Sequence, residues 1–400
     1  MPADRRYTTR CCTEPREGGE RALIPITRAD IPALCSAGAV YLNSGASGPP
    51  PGYVLRAMRE AEDRLSGPAY LAGAGLFELQ GDLLARARAA AAGLLGAAPH
   101  ELALTQNTSH GINLAVAGLD WSAEDEVIST RAEHPGGLLP LYELSRRYGV
   151  RVKLLEPPIT AEKVESALTP RTRLISLSHV LYTTGEVLPL REICGLARSR
   201  GVLTLADGAQ SVGNVPVDVK ELGVDLYALT GHKWLLGPEG MGTLYVRPGV
   251  EARSTNLGYL SLSDPASFDY EGGGELWAGA RRFEGSTPNP ALAAGFAAAA
   301  GAASQRGPEQ YEEIRRKAGH LTRRLAELAD ITVHSPQPAA SGLVSFTVEG
   351  MSSPEAVDRL HGKGFVLRSI PEPHPYVRAS VHLFNTEEEL DALADAVSRL

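Results

Sequence analysis

Val202-Leu203-Thr204-Leu205-Ala206-Asp207 and, further along the chain, Thr230-Gly231-His232-Lys233-Trp234, which ends an apolar run begun at Asp225, decide how this sequence is read. Both runs are short and aliphatic, with glycine and polar residues at their ends, which predicts two buried strands. Their carboxyl ends deliver Asp207 and Lys233. A lysine and an aspartate at the tips of neighbouring strands are what pyridoxal phosphate requires, one to hold the aldehyde as a Schiff base and one to keep the ring nitrogen protonated. Each also has a plainer reading alone: Asp207 as the cap of a following helix, and Lys233 as a solvated surface charge.

Outward from this pair, residues 101–105, 126–130, 151–155, 173–178, 202–206, 225–230 and 242–246 predict a series of short strands. Helical stretches such as 138–148 and 190–200 separate most of them, and that alternation argues a largely parallel sheet covered on both faces. Ligands gather at the carboxyl ends of strands in such sheets. Upstream, residues 53–65 and 77–95 repeat apolar positions at helical spacing, the second with strong helix formers throughout. Beyond Val246 the pattern changes to a glycine-rich, strand-poor stretch over 247–284, then helices over 290–304 and 309–329. A smaller α+β unit follows, with strands over 342–348, 365–368 and 376–380, a helix over 354–361 and a last helix from Thr386. A domain boundary is expected near Gly285. Residues 21–40 hold a helix-like segment after Thr27 that is expected to pack on the smaller unit. Residues 1–20 mix Arg with Asp, Glu, Gly and Pro and lack an apolar core, so they read as a disordered arm rather than a signal peptide.

With 400 residues, 43% hydrophobic and 22% charged, the chain is long enough for two domains and has ordinary globular composition. A net charge of -8 and scattered basic residues offer no field for nucleic acid. The longest apolar run, residues 291–303, falls short of the about 20 residues a bilayer requires. Four cysteines, two of them the adjacent Cys11 and Cys12, form no spaced framework, which suits a reducing cytoplasm. No cluster has metal-ligand spacing, and no metal is expected.

The remaining candidates follow from chemical need. Asp207 enters a poorly solvated cleft where an isolated carboxylate is costly unless a cation meets it, and a protonated pyridine nitrogen is such a cation. Lys233 would serve as tether and as proton-transfer base. Thr230 and His232 stand beside it, placed to bond a phosphate, and Gln210 could donate to the ring's phenolic oxygen. In Thr105-Gln106-Asn107-Thr108-Ser109-His110-Gly111, a strand gives way to a helix, so Thr108 and Ser109 would offer hydroxyl and N–H groups to the cofactor phosphate. A plain N-cap uses the same residues. His134, after the strand ending at Thr130, could lie flat on the pyridine ring, or be an ordinary polar histidine.

Asp207-Gly208-Ala209-Gln210-Ser211-Val212-Gly213 and Thr230-Gly231-His232-Lys233 resemble the ring-nitrogen and Schiff-base motifs of the class V aminotransferase group of fold-type-I pyridoxal phosphate enzymes. That group includes cysteine desulfurases, cysteine and cystine lyases, kynureninases and isopenicillin epimerase-like proteins. The resemblance runs from about Tyr41 to the C-terminus. It implies an α/β fold: a large domain, residues 41–284, with a mainly parallel seven-stranded sheet, and a small C-terminal α+β domain, residues 285–400. Tyr41-Leu42-Asn43-Ser44-Gly45-Ala46-Ser47 is similar to the family's substrate loop and implies substrate contacts from Asn43 and Ala46. Phe283-Glu284-Gly285-Ser286-Thr287 resembles the segment that reaches the phosphate of a neighbouring subunit, which implies a homodimer with Ser286 and Thr287 acting across the interface. Tyr376-Val377-Arg378-Ala379-Ser380 resembles the stretch whose arginine binds the substrate α-carboxylate, a role that suits a planar guanidinium; a surface salt bridge is the plainer reading of Arg378.

Two departures bear on the substrate. Desulfurases of this family carry a nucleophilic cysteine shortly before that arginine, and residues 361–378 contain none; Val366-Leu367-Arg368-Ser369-Ile370-Pro371-Glu372-Pro373-His374 looks instead like the connection of the cysteine/cystine lyase branch. Tyr182 occupies the position of an asparagine that contacts substrate and cofactor in desulfurases. The resemblance therefore implies a pyridoxal phosphate-dependent carbon–sulfur lyase performing β-elimination on cysteine, cystine or a related S-substituted amino acid. An aminotransferase, an epimerase, a desulfurase with a displaced or partner-supplied thiol, and a non-catalytic cofactor-binding dimer are its rivals.

Overall fold

The expected sheet is present, and its order explains why the two decisive side chains converge. In this computed structural model residues 26–35, 38–71 and 73–400 are described. The arm expected over residues 1–20, with Cys11 and Cys12, lies outside the described residues. The first strand, β1 (Val40–Tyr41), belongs to a small pair. The next seven are β2 (Leu102–Thr105), β3 (Glu126–Thr130), β4 (Arg151–Leu155), β5 (Thr172–Ser178), β6 (Leu203–Asp207), β7 (Leu226–Thr230) and β8 (Gly242–Val246). They form one sheet in the order β2-β8-β7-β6-β5-β3-β4. Strands β3 to β7 pair in parallel, while β8 runs antiparallel to both β2 and β7.

Strands β2, β3, β7 and β8 are buried along their whole length, as a sheet covered on both faces requires, which is why none of their sequences alternates polar and apolar residues. One core lies on each face of the sheet. On one side the helices Ala74–Leu95 and Pro290–Arg306 pack together, with Gly52–Ser66 against the second. Alanine and glycine dominate the facing surface of Pro290–Arg306, so the backbones approach closely. Asp207 proves to be the last residue of β6, in register with Ser178 of β5 on one side and Ala228 of β7 on the other. The ends of β5, β6 and β7 thus form one rim.

The C-terminal unit contains β9 (Ile331–Val333), β10 (Leu343–Val348), β11 (Phe365–Val366), β12 (Arg368–Ser369) and β13 (Val377–Ser380). Four of these make an antiparallel sheet, β12-β13-β10-β9. The single strand expected over residues 365–368 is a correction: pairing switches at Leu367. Phe365 and Val366 join β1 in parallel, and Arg368 and Ser369 join β13. Phe365 and Leu367 both bury in the small core, which holds the chain in place while the backbone changes partner. β9 escapes sequence reading because it is short and only partly buried. Within the N-terminal segment, Ile26, Ile31 and Leu34 pack on Leu236 and Phe384, and Arg28 Nη1 reaches Glu389 Oε1 at 2.8 Å. Among the described residues no helix is long and apolar enough to cross a membrane.

A buried ion pair ties the glycine-rich stretch to the sheet. Arg88 Nη2 donates to Glu284 Oε2 at 2.8 Å, and Leu104 N of β2 donates to Glu284 Oε1 at 2.8 Å. Removing one partner of such a pair strands a charge away from water. Arg88→Met is expected to lower unfolding stability by about 3–5 kcal/mol, measured by urea denaturation of the cofactor-free protein. Adding Glu284→Leu should recover part of that loss, as no charge is then left behind.

Candidate active site

Lys233 and Asp207 open into the same cavity, of 620 Å³, above the rim of β5 to β7. Lys233 sits in the turn after β7, and its backbone is fixed from two directions. Gly48 N donates to His232 O at 2.6 Å, and a Cβ on Gly48 would stand 2.1 Å from Lys233 O, so only glycine permits this approach. On the other side, Trp234 is fully buried, donates from Nε1 to Gln210 Oε1 at 2.8 Å and stacks on His382 at 5.7 Å. With the turn clamped, Nζ extends into the cavity without an ion pair among the described residues. Burial pushes the Lys233 ammonium down to about 8, opposed by the charge of Asp207 and helped by Arg378 and Arg368.

Asp207 Oδ1 accepts from Ala209 N at 2.8 Å, which leaves Oδ2 for another partner. Burial pushes its carboxyl up, against the Ala209 N–H and the Lys233 charge. Gln210 is already engaged at both ends, since Nε2 donates to Gly45 O at 2.8 Å while Oε1 holds Trp234. It lines the cavity, but its evident work is to tie the loop of residues 43–47 to the lysine turn. One N–H of its amide remains for the oxygen assigned to it from sequence.

At another part of the wall the helix Thr108–Ala117 begins, capped by Asn107, whose Oδ1 accepts from His110 N at 2.9 Å. The first-turn N–H groups of Thr108 and Ser109 have no partner within the helix, and Thr108 Oγ1 is buried with no hydrogen bond. Thr230 Oγ1 and His232 Nδ1, 2.7 Å apart, complete this polar wall. His134 caps the helix Pro135–Tyr148, accepting at Nδ1 from Gly136 N at 3.0 Å, so its ring proton belongs on Nε2. Burial and the charges of Lys233, Arg378 and Arg368 push its pKa down to about 4, which keeps the imidazole neutral. Tyr182 meets its ring edge-on at 5.2 Å.

Arg378 is 2% exposed, donates from Nη1 to Tyr182 O at 2.8 Å and leaves Nε buried with no partner. No carboxylate pairs with it among the described residues, and burial pushes its pKa down to about 10. A Cβ on Gly45 would lie 3.1 Å from Arg378 Nη2 and 2.8 Å from Ser380 Oγ, so the glycine keeps that face of the guanidinium clear. Ala46 lines the cavity; Asn43 lies behind it, bridged to Ser380, with its Oδ1 unpaired. Ser286 and Thr287 are exposed and lie outside the cavity of their own chain.

The donor set suits pyridoxal phosphate: an unpaired hydroxyl at a helix start for the phosphate, a free Asp207 oxygen for a cationic ring nitrogen, an unpaired amine on Lys233 for the aldehyde and a neutral imidazole to stack. Sequence reading missed Arg368, which lines the same cavity directly across from Arg378 in the β12–β13 register. Their strand pairing was the signal, and it is invisible until the break at Leu367 is known. Glu133 and Ser178, deeper on the rim, were missed also. Among the described residues no metal-ligating cluster gathers.

A family model described as aminotransferase class-V matches residues 40–393. Isopenicillin N epimerase of Streptomyces clavuligerus is 32% identical over 389 residues, covering 90% of this chain and 94% of that protein. A probable cysteine desulfurase of Halalkalibacterium halodurans is 30% identical over 394 residues, covering 90% and 92%. Among solved structures, the cystine C-S lyase C-DES in complex with its reaction product cysteine persulfide aligns with a TM-score of 0.85 at 32% identity, covering 92% of this chain and 99% of that one. A C-DES mutant with glycine covalently linked to the PLP cofactor aligns with a TM-score of 0.86 at 32% identity, covering 93% and 99%.

Asp207 holds the Lys233 proton by its charge, so Asp207→Asn is expected to move the Lys233 pKa below about 8. The measurement is the pH profile of lysine acylation in cofactor-free protein, read on the Lys233 peptide, which should shift toward acid.

Proposed function

This chain belongs to the aminotransferase class-V family of pyridoxal phosphate-dependent enzymes, and from that premise we propose that it is a carbon–sulfur lyase. Its substrate is cystine or a related S-substituted amino acid with a second carboxylate, and its products are pyruvate, ammonia and a sulfur compound. The observation that carries this reading is the facing pair Arg368 and Arg378. Like charges directly opposite on neighbouring strands destabilise a sheet, and anions bound between and beside them relieve the repulsion.

In this reading the Arg378 fork binds the α-carboxylate and so fixes which Cα bond faces Lys233. Arg368, nearer the solvent, takes the distal carboxylate. Pyridoxal phosphate, when bound, supplies the electron-accepting ring that makes the Cα proton removable. Thr108, Ser109, Thr230 and His232 hold its phosphate, Asp207 its ring nitrogen, and His134 its face. Neutral Lys233 accepts the Cα proton at Nζ, and a pKa near 8 suits a base working near neutral pH. The Cβ–S bond breaks with its electron pair leaving on sulfur, so the reaction is redox-neutral and one water completes pyruvate and ammonia. From cystine the sulfur product is cysteine persulfide.

An enzyme thiol has no part in this chemistry. Cys194 is buried in the helix Leu190–Ser199, where burial pushes its thiol up to about 11, and Cys35 is exposed in the N-terminal segment. Neither lines the cavity. A homodimer is part of the same proposal. Tyr259, Phe268 and Tyr270 expose large apolar surfaces in the stretch before Ser286 and Thr287, which leaves that face suited to a second copy.

Incubating the cofactor-loaded protein with cystine should release pyruvate and ammonia in equal amounts together with persulfide sulfur. Alanine as the main product would instead mark a desulfurase, and inverted amino acid without pyruvate an epimerase like the Streptomyces relative. Loss of a charged hydrogen bond costs about 1.5–3 kcal/mol, so Arg368→Met should raise KM for cystine roughly ten- to hundred-fold and leave KM for S-methylcysteine near its starting value.

A further inference from the structure

Glu133 is a buried carboxyl that the chemistry above leaves unused. It is 5% exposed and sits just before His134, at the turn from β3 into the helix Pro135–Tyr148. Its Oε1 accepts from Ser178 N at 2.8 Å, and its Oε2 makes a very short hydrogen bond with Ser178 Oγ. Ser178 ends β5, lines the cavity and stands in register with Asp207. A Cβ built on Gly137 would lie 3.8 Å from both Asp207 Oδ2 and Glu133 Oε2, so the two carboxyls flank one point. The titratable groups that face Glu133 are Asp207 from β6, Tyr182 after β5 and its neighbour His134, with Lys233 beyond Asp207. No cationic side chain forms an ion pair with it among the described residues.

A buried carboxylate without a cation is costly. Asp207 lines the cavity, Glu133 lies beside it just outside the lining, and one ammonium serves the two carboxyls, so the one farther from Lys233 keeps its proton. Ser178 N donates to Oε1 in either form. Ser178 Oγ donates to Oε2 of the ionised carboxylate, and this bond turns round when the carboxyl is neutral, so that the Oε2 hydroxyl donates to Oγ and both points of the latch persist. We propose that Glu133 is a positioning residue that works in its neutral form, holding the end of β5 beside Asp207 and leaving Asp207 as the lone anion offered to the cofactor ring. This rests on pyridoxal phosphate as cofactor and not on the choice of substrate, so its test is independent of the product analysis.

Burial and the Asp207 charge push the Glu133 carboxyl up to about 8, against the two Ser178 bonds. The sign follows: the folded chain holds this proton far more firmly than the unfolded chain does. The stability that the bound proton confers is complete below the ordinary carboxylate value and falls away as pH rises through about 8.

Glu133→Gln tests the assignment, because an amide reproduces both bonds of the neutral acid and cannot ionise. Cofactor-loaded wild type and E133Q are compared from about pH 6 to about pH 10 by visible absorbance of the bound cofactor and by urea unfolding midpoint. The two proteins are expected to coincide at the acid end, and above about pH 8 the wild type alone should lose stability and change its spectrum. A difference of equal size at both ends of the range would mean that Glu133 acts as an anion, and would overturn the proposal; so would identical curves throughout. Should E133Q not fold, Ser178→Ala decides: the Oγ bond exists in both forms but is stronger to the ionised carboxylate, so its removal must move the alkaline transition to higher pH. A transition that stays in place overturns the proposal.

Discussion

Lys233 and Asp207 share a cavity without forming an ion pair, and each bends the other's affinity for protons. That separation is the constraint the rest of the molecule serves. Were they joined, the amine would be held charged and the carboxylate occupied, and neither could meet a cofactor. β6 and β7 are adjacent and parallel, which sets Asp207 and the lysine turn at the same rim. Gly48, Trp234 and Gln210 then fix the backbone of the turn that presents the amine.

Around this pair the cavity holds more cations than anions. Lys233, Arg368 and Arg378 are opposed by Asp207, and Glu133, just outside the lining, adds no charge while it keeps its proton. A site of that balance is incomplete without anionic ligands, and a phosphate with one or two carboxylates supplies them. The low dielectric that depresses the Lys233 and His134 pKa values is the same condition that makes each bound anion count.

Much of the fold was legible because the central strands are buried on both faces and flanked by strongly patterned helices. Asp207 and Lys233 could be picked out because each closes or follows an apolar run, and Thr108 because it opens a helix after a strand; Arg378, inside β13, was reached through the family resemblance. Arg368 could not, since its neighbour across the sheet depends on a strand break at Leu367 that the apolar pattern 365–368 conceals. Glu133 was hidden by its proximity to His134, which drew the chemical reading, and by a burial that only the β5–β6 register reveals. Gln210 was chosen too, and the structure adds a task that the sequence conceals: its amide ties Gly45 to Trp234 and keeps one N–H to spare.

The central claim is that the Lys233 amine carries the cofactor. Borohydride reduction of the cofactor-loaded protein, followed by proteolysis and mass mapping, measures this directly. The account predicts one reduced pyridoxyl adduct, on the peptide containing Lys233, and none in the Lys233→Ala protein. An adduct on any other lysine, or no adduct from a protein that still shows bound cofactor, would contradict it.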